Sequence, residues 1–263
     1  MGWLAAYLAL GAFTGFLAGL FGIGGGLLFV PLLSWLFAAQ GLAEPLHLAL
    51  GTSMATILFT ASSSARTHHQ HGAVNFSVVR GVTPGLLLGT VLGTWLAGHI
   101  PAHYLSGFFA LFMSYVALQM ALEFKPAPTR TLPGRAALLA VGSGIGAISS
   151  LVSVGGGTLS VPFMLYHNVP LRQAIGTSAA LGIPIAIGGT AGYIVLGLHH
   201  PGLPAHTLGY LYLPALGMLL LGSPVTAPLG AKAAHRLPVK PLRRAFAGFL
   251  VILAGKMLWQ AVA

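Results

Sequence analysis

Apolar residues run through this chain in long blocks separated by short polar connections. A block of roughly 17–25 apolar residues is long enough to cross a ~30 Å hydrocarbon layer as a helix. On that criterion the pattern predicts spans at 3–20, 46–64, 81–98, 104–122, 136–152, 173–196, 207–231 and 245–262. Two shorter apolar pieces, 26–39 and 157–167, each follow a glycine cluster. The second is too short to cross and predicts half of a broken or re-entrant hairpin. Connections at 65–77, 99–103, 123–135, 197–206 and 232–243 hold most of the charge, histidine and proline.

The two halves of the chain repeat each other. Gly24-Gly25-Gly26 with Pro31 answers Gly155-Gly156-Gly157 with Pro162. Pro45-Leu46-His47, then Gly51-Thr52-Ser53, answers Pro170-Leu171-Arg172, then Gly176-Thr177-Ser178. Further on, Gly93 answers Gly230, Pro101 answers Pro238, and Phe109-Ala110 answers Phe246-Ala247. The expected organisation is a first transmembrane repeat over 1–122, a basic linker over 123–135 and a second repeat over 136–263.

Composition turns these helices into membrane helices. Only 5% of residues are charged and mean hydropathy is +0.88, against about a quarter charged in soluble domains. Lipid is therefore the expected solvent for most of the surface. Two acids, Glu44 and Glu123, face 12 Lys plus Arg. Because these cations sit in connections, they report orientation rather than nucleic-acid binding. If each glycine-centred unit is a hairpin that enters and leaves on one side, each repeat adds three spans, and the second copy is inverted. All the Lys and Arg except Lys256 then fall on one side, the cytoplasmic one. The expected fold is thus an all-α membrane protein of two inverted-topology repeats. It lies multi-pass in the cell inner (plasma) membrane, with both termini extracytoplasmic. Met1-Gly2-Trp3-Leu4 lacks a basic lead-in, so the first apolar run is expected to be retained rather than cleaved.

Broken helices in lipid are tolerated only where the freed backbone is buried in protein or lines a cavity. Two breaks at corresponding places in two halves point to a transporter's substrate site. A helix restarting after a break presents free N–H groups and the positive end of its dipole, which suits an anion. The candidate binding residues are Gly24, Gly25, Gly26, Gly155, Gly156, Gly157 and Thr158. Thr52, Ser53, Thr177 and Ser178 are candidate hydroxyl donors; helix back-bonding is the competing use for them. Ser149, Ser150 and Ser153 are weaker versions of the same idea. His47 and Arg172, at equivalent helix mouths, are candidate entrance cations, or else plain interfacial residues. The histidines at 68, 69, 71, 99, 103, 199 and 200 have no carboxylate or cysteine near them in sequence, so no metal site is expected. No phosphate loop, catalytic triad or carboxylate pair can be assembled, so neither cofactor nor enzyme chemistry is expected.

Gly15-x3-Gly19-Leu20-Phe21-Gly22-Ile23-Gly24-Gly25-Gly26 with Pro31 resembles the sulfite exporter TauE/SafE family of membrane permeases. The resemblance continues in Ser153-Val154-Gly155-Gly156-Gly157-Thr158 through Pro162, then Arg172-x3-Gly176-Thr177-Ser178. It implies a multi-pass transporter of small anions, with sulfite and organosulfonates as the usual cargo. The expected function is a secondary carrier for such an oxyanion working by alternating access. An anion channel is the alternative, and a membrane-embedded enzyme or complex subunit a remoter one. The partners expected are the anion and the bilayer; oligomeric state is not legible.

Overall fold

The computed structural model describes residues 2–21, 26–122, 131–234 and 239–262. Among them are ten helices: α1 Gly2–Phe21, α2 Gly26–Ala39, α3 Pro45–Gln70, α4 Phe76–His99, α5 Ala102–Ala121, α6 Arg135–Leu151, α7 Gly157–Tyr166, α8 Leu171–Leu198, α9 Leu213–Ala234 and α10 Val239–Val262. A two-residue hairpin, β1 Thr207–Leu208 with β2 Leu211–Tyr212, joins α8 to α9. Five helices (α3, α4, α5, α8 and α9) are long and apolar enough to cross a membrane. At 1.5 Å per residue α2 and α7 reach only ~21 and ~15 Å, short of a ~30 Å core.

Two differences from the hydropathy reading have plain causes. The span expected at 207–231 starts at Leu213, because Thr207–Tyr212 is the hairpin, whose apolar residues lengthen the run without being helical. The connection expected at 65–77 shrinks to 71–75, because α3 continues through polar Thr67–Gln70. Hydropathy marks the solvent a residue prefers; it does not mark the end of a helix.

Glycine seams set the packing. A Cβ placed on Gly85, Gly89 or Gly93 of α4 would collide with Leu139, Ser143 or Ala147 of α6 respectively. From the other side, Gly142 and Gly146 meet Val82 and Leu86. A matching seam joins α1 and α9: Gly11 meets Leu219, Gly15 meets Ser223, Gly222 meets Leu8 and Ala12, and Gly230 meets Phe16. Small residues let helix backbones touch where lipid offers no hydrophobic drive. Thr226 adds a hydrogen bond across the second seam, its hydroxyl donating to the Ala12 carbonyl at 2.7 Å. Both pairs run parallel, whereas α3 and α8 cross the centre antiparallel, and α5 packs with α10.

The bundle has two chemically distinct ends. One end gathers the start of α1, the ends of α2, α4, α8 and α10, and the starts of α3, α5 and α9. It carries Trp3, Trp35, Trp95, Trp259 and Tyr104 on its surface, the aromatic belt of a membrane interface. Lys256 of α10 lies there too, its ammonium 4.0 Å above the Trp35 ring. The opposite end carries the exposed Arg66, Arg80, Arg135, Arg172 and Arg244. Between the ends, large apolar side chains face outward; Leu111 and Ile252 are each 70% exposed. In water that surface would be a liability; against acyl chains it is the solvated face.

Replacing Gly146 with alanine puts a methyl into the Leu86 backbone and should cost about 1–3 kcal/mol. The same change at Gly144, which has open space around its Cβ position, should leave stability unchanged. Thermal unfolding of the two variants in detergent, followed by fluorescence-detected gel filtration, measures the contrast.

Candidate functional site

Hairpin α1–α2 dips from the aromatic end and hairpin α6–α7 from the basic end. The α6–α7 turn meets the first residue of α2 inside the protein. Gly26, the first residue of α2, lies so close to the Ser153 carbonyl that any side chain there would collide with it. Ser153 stands just before Gly155-Gly156-Gly157 and has a positive φ of 47°. Its hydroxyl donates to the Leu50 carbonyl of α3, which ties that turn to the first half. Gly24 and Gly25 lie outside the described residues.

The long central helices wall this contact. On α3, Leu50, Ser53 and Ile57 share one stripe by their i, i+3, i+7 spacing. Ile57 packs against Gly26 and stands 3.7 Å from where a Cβ on Gly155 would be. On α8, the Ser178 carbonyl and the Ile185 side chain approach the Cβ position of Gly156 to 3.3 and 3.4 Å. Helix α7 begins at Gly157 with no side-chain cap, so its first N–H groups donate to no capping side chain at the N-cap. Pro31 and Pro162, four residues into α2 or α7 from Leu27 or Thr158, remove the donor that those two carbonyls would otherwise receive. Both breaks therefore concentrate free backbone polarity at one depth.

The predicted hydroxyls divide into two kinds. Ser53 is fully buried and Thr158 is 6% exposed, and neither has a hydrogen-bond partner among the described residues; Ser149 is in the same state. A buried unpartnered hydroxyl costs roughly 1–3 kcal/mol and calls for a reason. Ser178 bonds back to the Ile175 carbonyl at 2.8 Å. Ser150 likewise bonds to the Ala147 carbonyl at 3.0 Å, and its own carbonyl takes the Tyr193 hydroxyl at 2.9 Å.

Thr52 and Thr177 are used as struts. The Tyr212 N–H, in the α8–α9 connection, donates to Thr52 Oγ at 3.0 Å. The Asn75 N–H, in the α3–α4 connection, donates to Thr177 Oγ at 2.9 Å. The preceding glycines make room: a Cβ on Gly51 would strike the Tyr210 carbonyl, and one on Gly176 the Ala73 carbonyl. Each Gly-Thr pair thus holds the connecting strap of the opposite half. Duplication flagged the pair in the sequence, but nothing there identified its partners.

His47 and Arg172 differ in exposure. Arg172 is exposed, and its guanidinium donates to the His71 carbonyl at 3.2 Å. His47 is 6% exposed, set between Glu44 and the Ala97 carbonyl and stacked on Tyr210. A cavity of about 510 Å³ opens beside it at the aromatic end, lined by Ser34, Glu44, His103, Ser106 and Gln260 among others. It shares no residue with the glycine breaks. Among the described residues no three metal-ligating side chains converge.

Discontinuous helices meeting inside a bundle with a lipid-facing exterior are the architecture of membrane transporters. Residues 7–257 match the family Sulfite exporter TauE/SafE, and the chain belongs to that family. It is 39% identical to a "probable membrane transporter protein" of Haemophilus influenzae, covering 95% of this chain and 96% of the relative. A Bacillus subtilis relative named "probable membrane transporter protein YdhB" is 28% identical over 88% of this chain and 90% of its own length. Another probable membrane transporter protein, from Methanocaldococcus jannaschii, is 24% identical over 97% and 95%. No solved structure matches the chain. The protein is a multi-pass membrane transporter by family, and its relatives are named as transporters rather than enzymes.

Thr52→Val removes the acceptor for the Tyr212 N–H and should cost about 1–3 kcal/mol, while Thr52→Ser should restore it. Hydrogen exchange across residues 207–213 reads the result: several-fold faster in the valine variant, unchanged in the serine variant.

Proposed function

We propose that the protein is a secondary carrier for a small oxyanion, with sulfite or an organosulfonate as the leading cargo. The anion binds between the two helix breaks. Backbone N–H groups at the starts of α2 and α7 face it, and the hydroxyls of Ser53 and Thr158 complete its shell. The observation that carries this reading is the meeting of Gly26 with Ser153, with buried hydroxyls left unpartnered beside them. Gly24, Gly25, Gly155, Gly156 and Gly157 let the backbone approach the ligand with no side chain in the way. Thr52, Thr177 and Ser178 support the walls of the site.

Two inverted repeats account for the packing. Exchanging the halves pairs α1 with α6, α2 with α7, α3 with α8, α4 with α9 and α5 with α10. Under that exchange the α1–α9 seam becomes the α6–α4 seam, and the Thr52 strut becomes the Thr177 strut. Alternating access comes from movement of the helices around the breaks, which opens the site to one side at a time, with the glycine-seamed pairs α1–α9 and α4–α6 each moving as a unit. Burial of Gly26 and of Val154–Gly156 favours a carrier over an open channel. The arginine-rich end lies in the cytoplasm of the inner (plasma) membrane by the positive-inside rule, which leaves both termini outside.

Proteoliposomes offered labelled sulfite, sulfate, sulfoacetate and thiosulfate test the reading. Saturable uptake with counterflow exchange is expected for at least one of them. Ser53→Ala and Thr158→Val, each removing an unpartnered hydroxyl, should fold normally. Each should raise KM about tenfold, the worth of one hydrogen bond of roughly 1–1.5 kcal/mol. An unchanged KM in both variants would place binding elsewhere.

A further inference from the structure

The buried ring of His47, in the first turn of α3, has both nitrogens engaged. Nε2 lies 3.0 Å from the carbonyl oxygen of Ala97 on α4. A carbonyl only accepts, so Nε2 carries a hydrogen and donates it. Nδ1 lies 2.8 Å from Oε2 of Glu44. A bare ring nitrogen and a carboxylate oxygen are both acceptors, so that contact is attractive only with a proton between them. Glu44 is the N-cap of α3, yet its side chain caps no backbone N–H. It holds a left-handed φ of 52°, which a non-glycine residue rarely adopts, and spends its carboxylate on His47.

This pair fastens three elements at once. His47 joins α3 to α4 through Ala97, and its ring stacks on Tyr210 with centroids 5.1 Å apart. Tyr210 belongs to the same α8–α9 strap whose Tyr212 N–H bonds to Thr52. At the other end the equivalent position is Arg172, which bonds to His71 in the α3–α4 strap. A guanidinium stays charged at any pH a cell meets. The two ends are fastened alike in geometry and unlike in chemistry.

The geometry points to a proton-binding site: Glu44 and His47 share one proton that latches the strap at the aromatic end, while Arg172 holds the basic end without one. As pH rises the shared proton leaves, Oε2 and Nδ1 repel each other, and the strap over 199–212 loosens. The inference goes beyond the anion site and depends on no particular cargo.

Other groups around the pair are few. His200 places Nε2 4.0 Å from Oε1 of Glu44, and its Nδ1 is buried without a partner among the described residues. The Tyr210 phenol is pushed up to about 12 by burial and by the Glu44 charge, so it stays neutral. From α5, His103 lines the cavity that Glu44 borders; α2 and α10 contribute the neutral Ser34, Trp259 and Gln260. From α4 the Ala97 carbonyl faces the ring.

Hydrogen exchange on the full chain in lipid nanodiscs, compared between roughly pH 5 and pH 8, tests the site. Protection factors over 199–213 should fall about tenfold as pH rises, while those over 71–76 stay level. Glu44→Gln supplies an amide N–H to Nδ1 with no titratable proton, so protection should be high at both pH values. Glu44→Ala should be low at both, and His200→Gln should behave as wild type. Level protection in the wild-type protein overturns the proposal. So does a pH response that survives Glu44→Gln or vanishes in His200→Gln. Because exchange is read without any transported anion, absence of flux would count against the carrier reading and leave this result standing.

Discussion

A peptide group in hydrocarbon must find its hydrogen-bond partner within the protein, and that requirement organises this molecule. Continuous helices meet it by themselves. The turn between α6 and α7 does not, and it is buried in the protein against Gly26 at the start of α2. Ser153 illustrates the solution: its carbonyl lies against Gly26 and its hydroxyl reaches the Leu50 carbonyl. The long helices α3 and α8 serve as walls because something must screen that turn from acyl chains.

Close approach is the second constraint, and glycine supplies it. The α1–α9 and α4–α6 seams bring backbones together where a methyl group would not fit. Each seam joins a helix of one half to a helix of the other, so the two halves of the chain interleave rather than sit side by side. The straps follow the same logic on a smaller scale. Gly51 and Gly176 let a carbonyl come in, and the neighbouring threonines take the N–H that comes with it.

Much of the helical layout was legible because run length and lipid thickness are directly comparable. All eight long apolar runs became helices, displaced by a few residues at most ends. The exceptions are physical. Tyr210 and Leu211 are buried parts of the strap itself, and hydropathy cannot tell burial in protein from burial in lipid. The duplicated Gly-Thr-Ser triplets were visible as important, but their use was not. Thr52 takes its donor from 160 residues away and Thr177 from 102, distances over which no local pattern carries information. His47 looked like a cation at a helix mouth. Its stacking on Tyr210 and its bond to Ala97, 50 residues on, exist only in three dimensions. The glycine clusters were the strongest sequence signal, yet that the Ser53 and Thr158 hydroxyls lack a partner among the described residues is visible only in the structure.

The paired struts bear on thermodynamics. Each joins a threonine oxygen of one half to a main-chain amide of the other, and the two are the same kind of bond at 3.0 and 2.9 Å. A machine that releases one while keeping its twin exchanges like for like, so these fasteners add little bias toward either orientation. Any energetic difference between the two ends then arises from other contacts, such as the Glu44–His47 pair at one and Arg172 at the other.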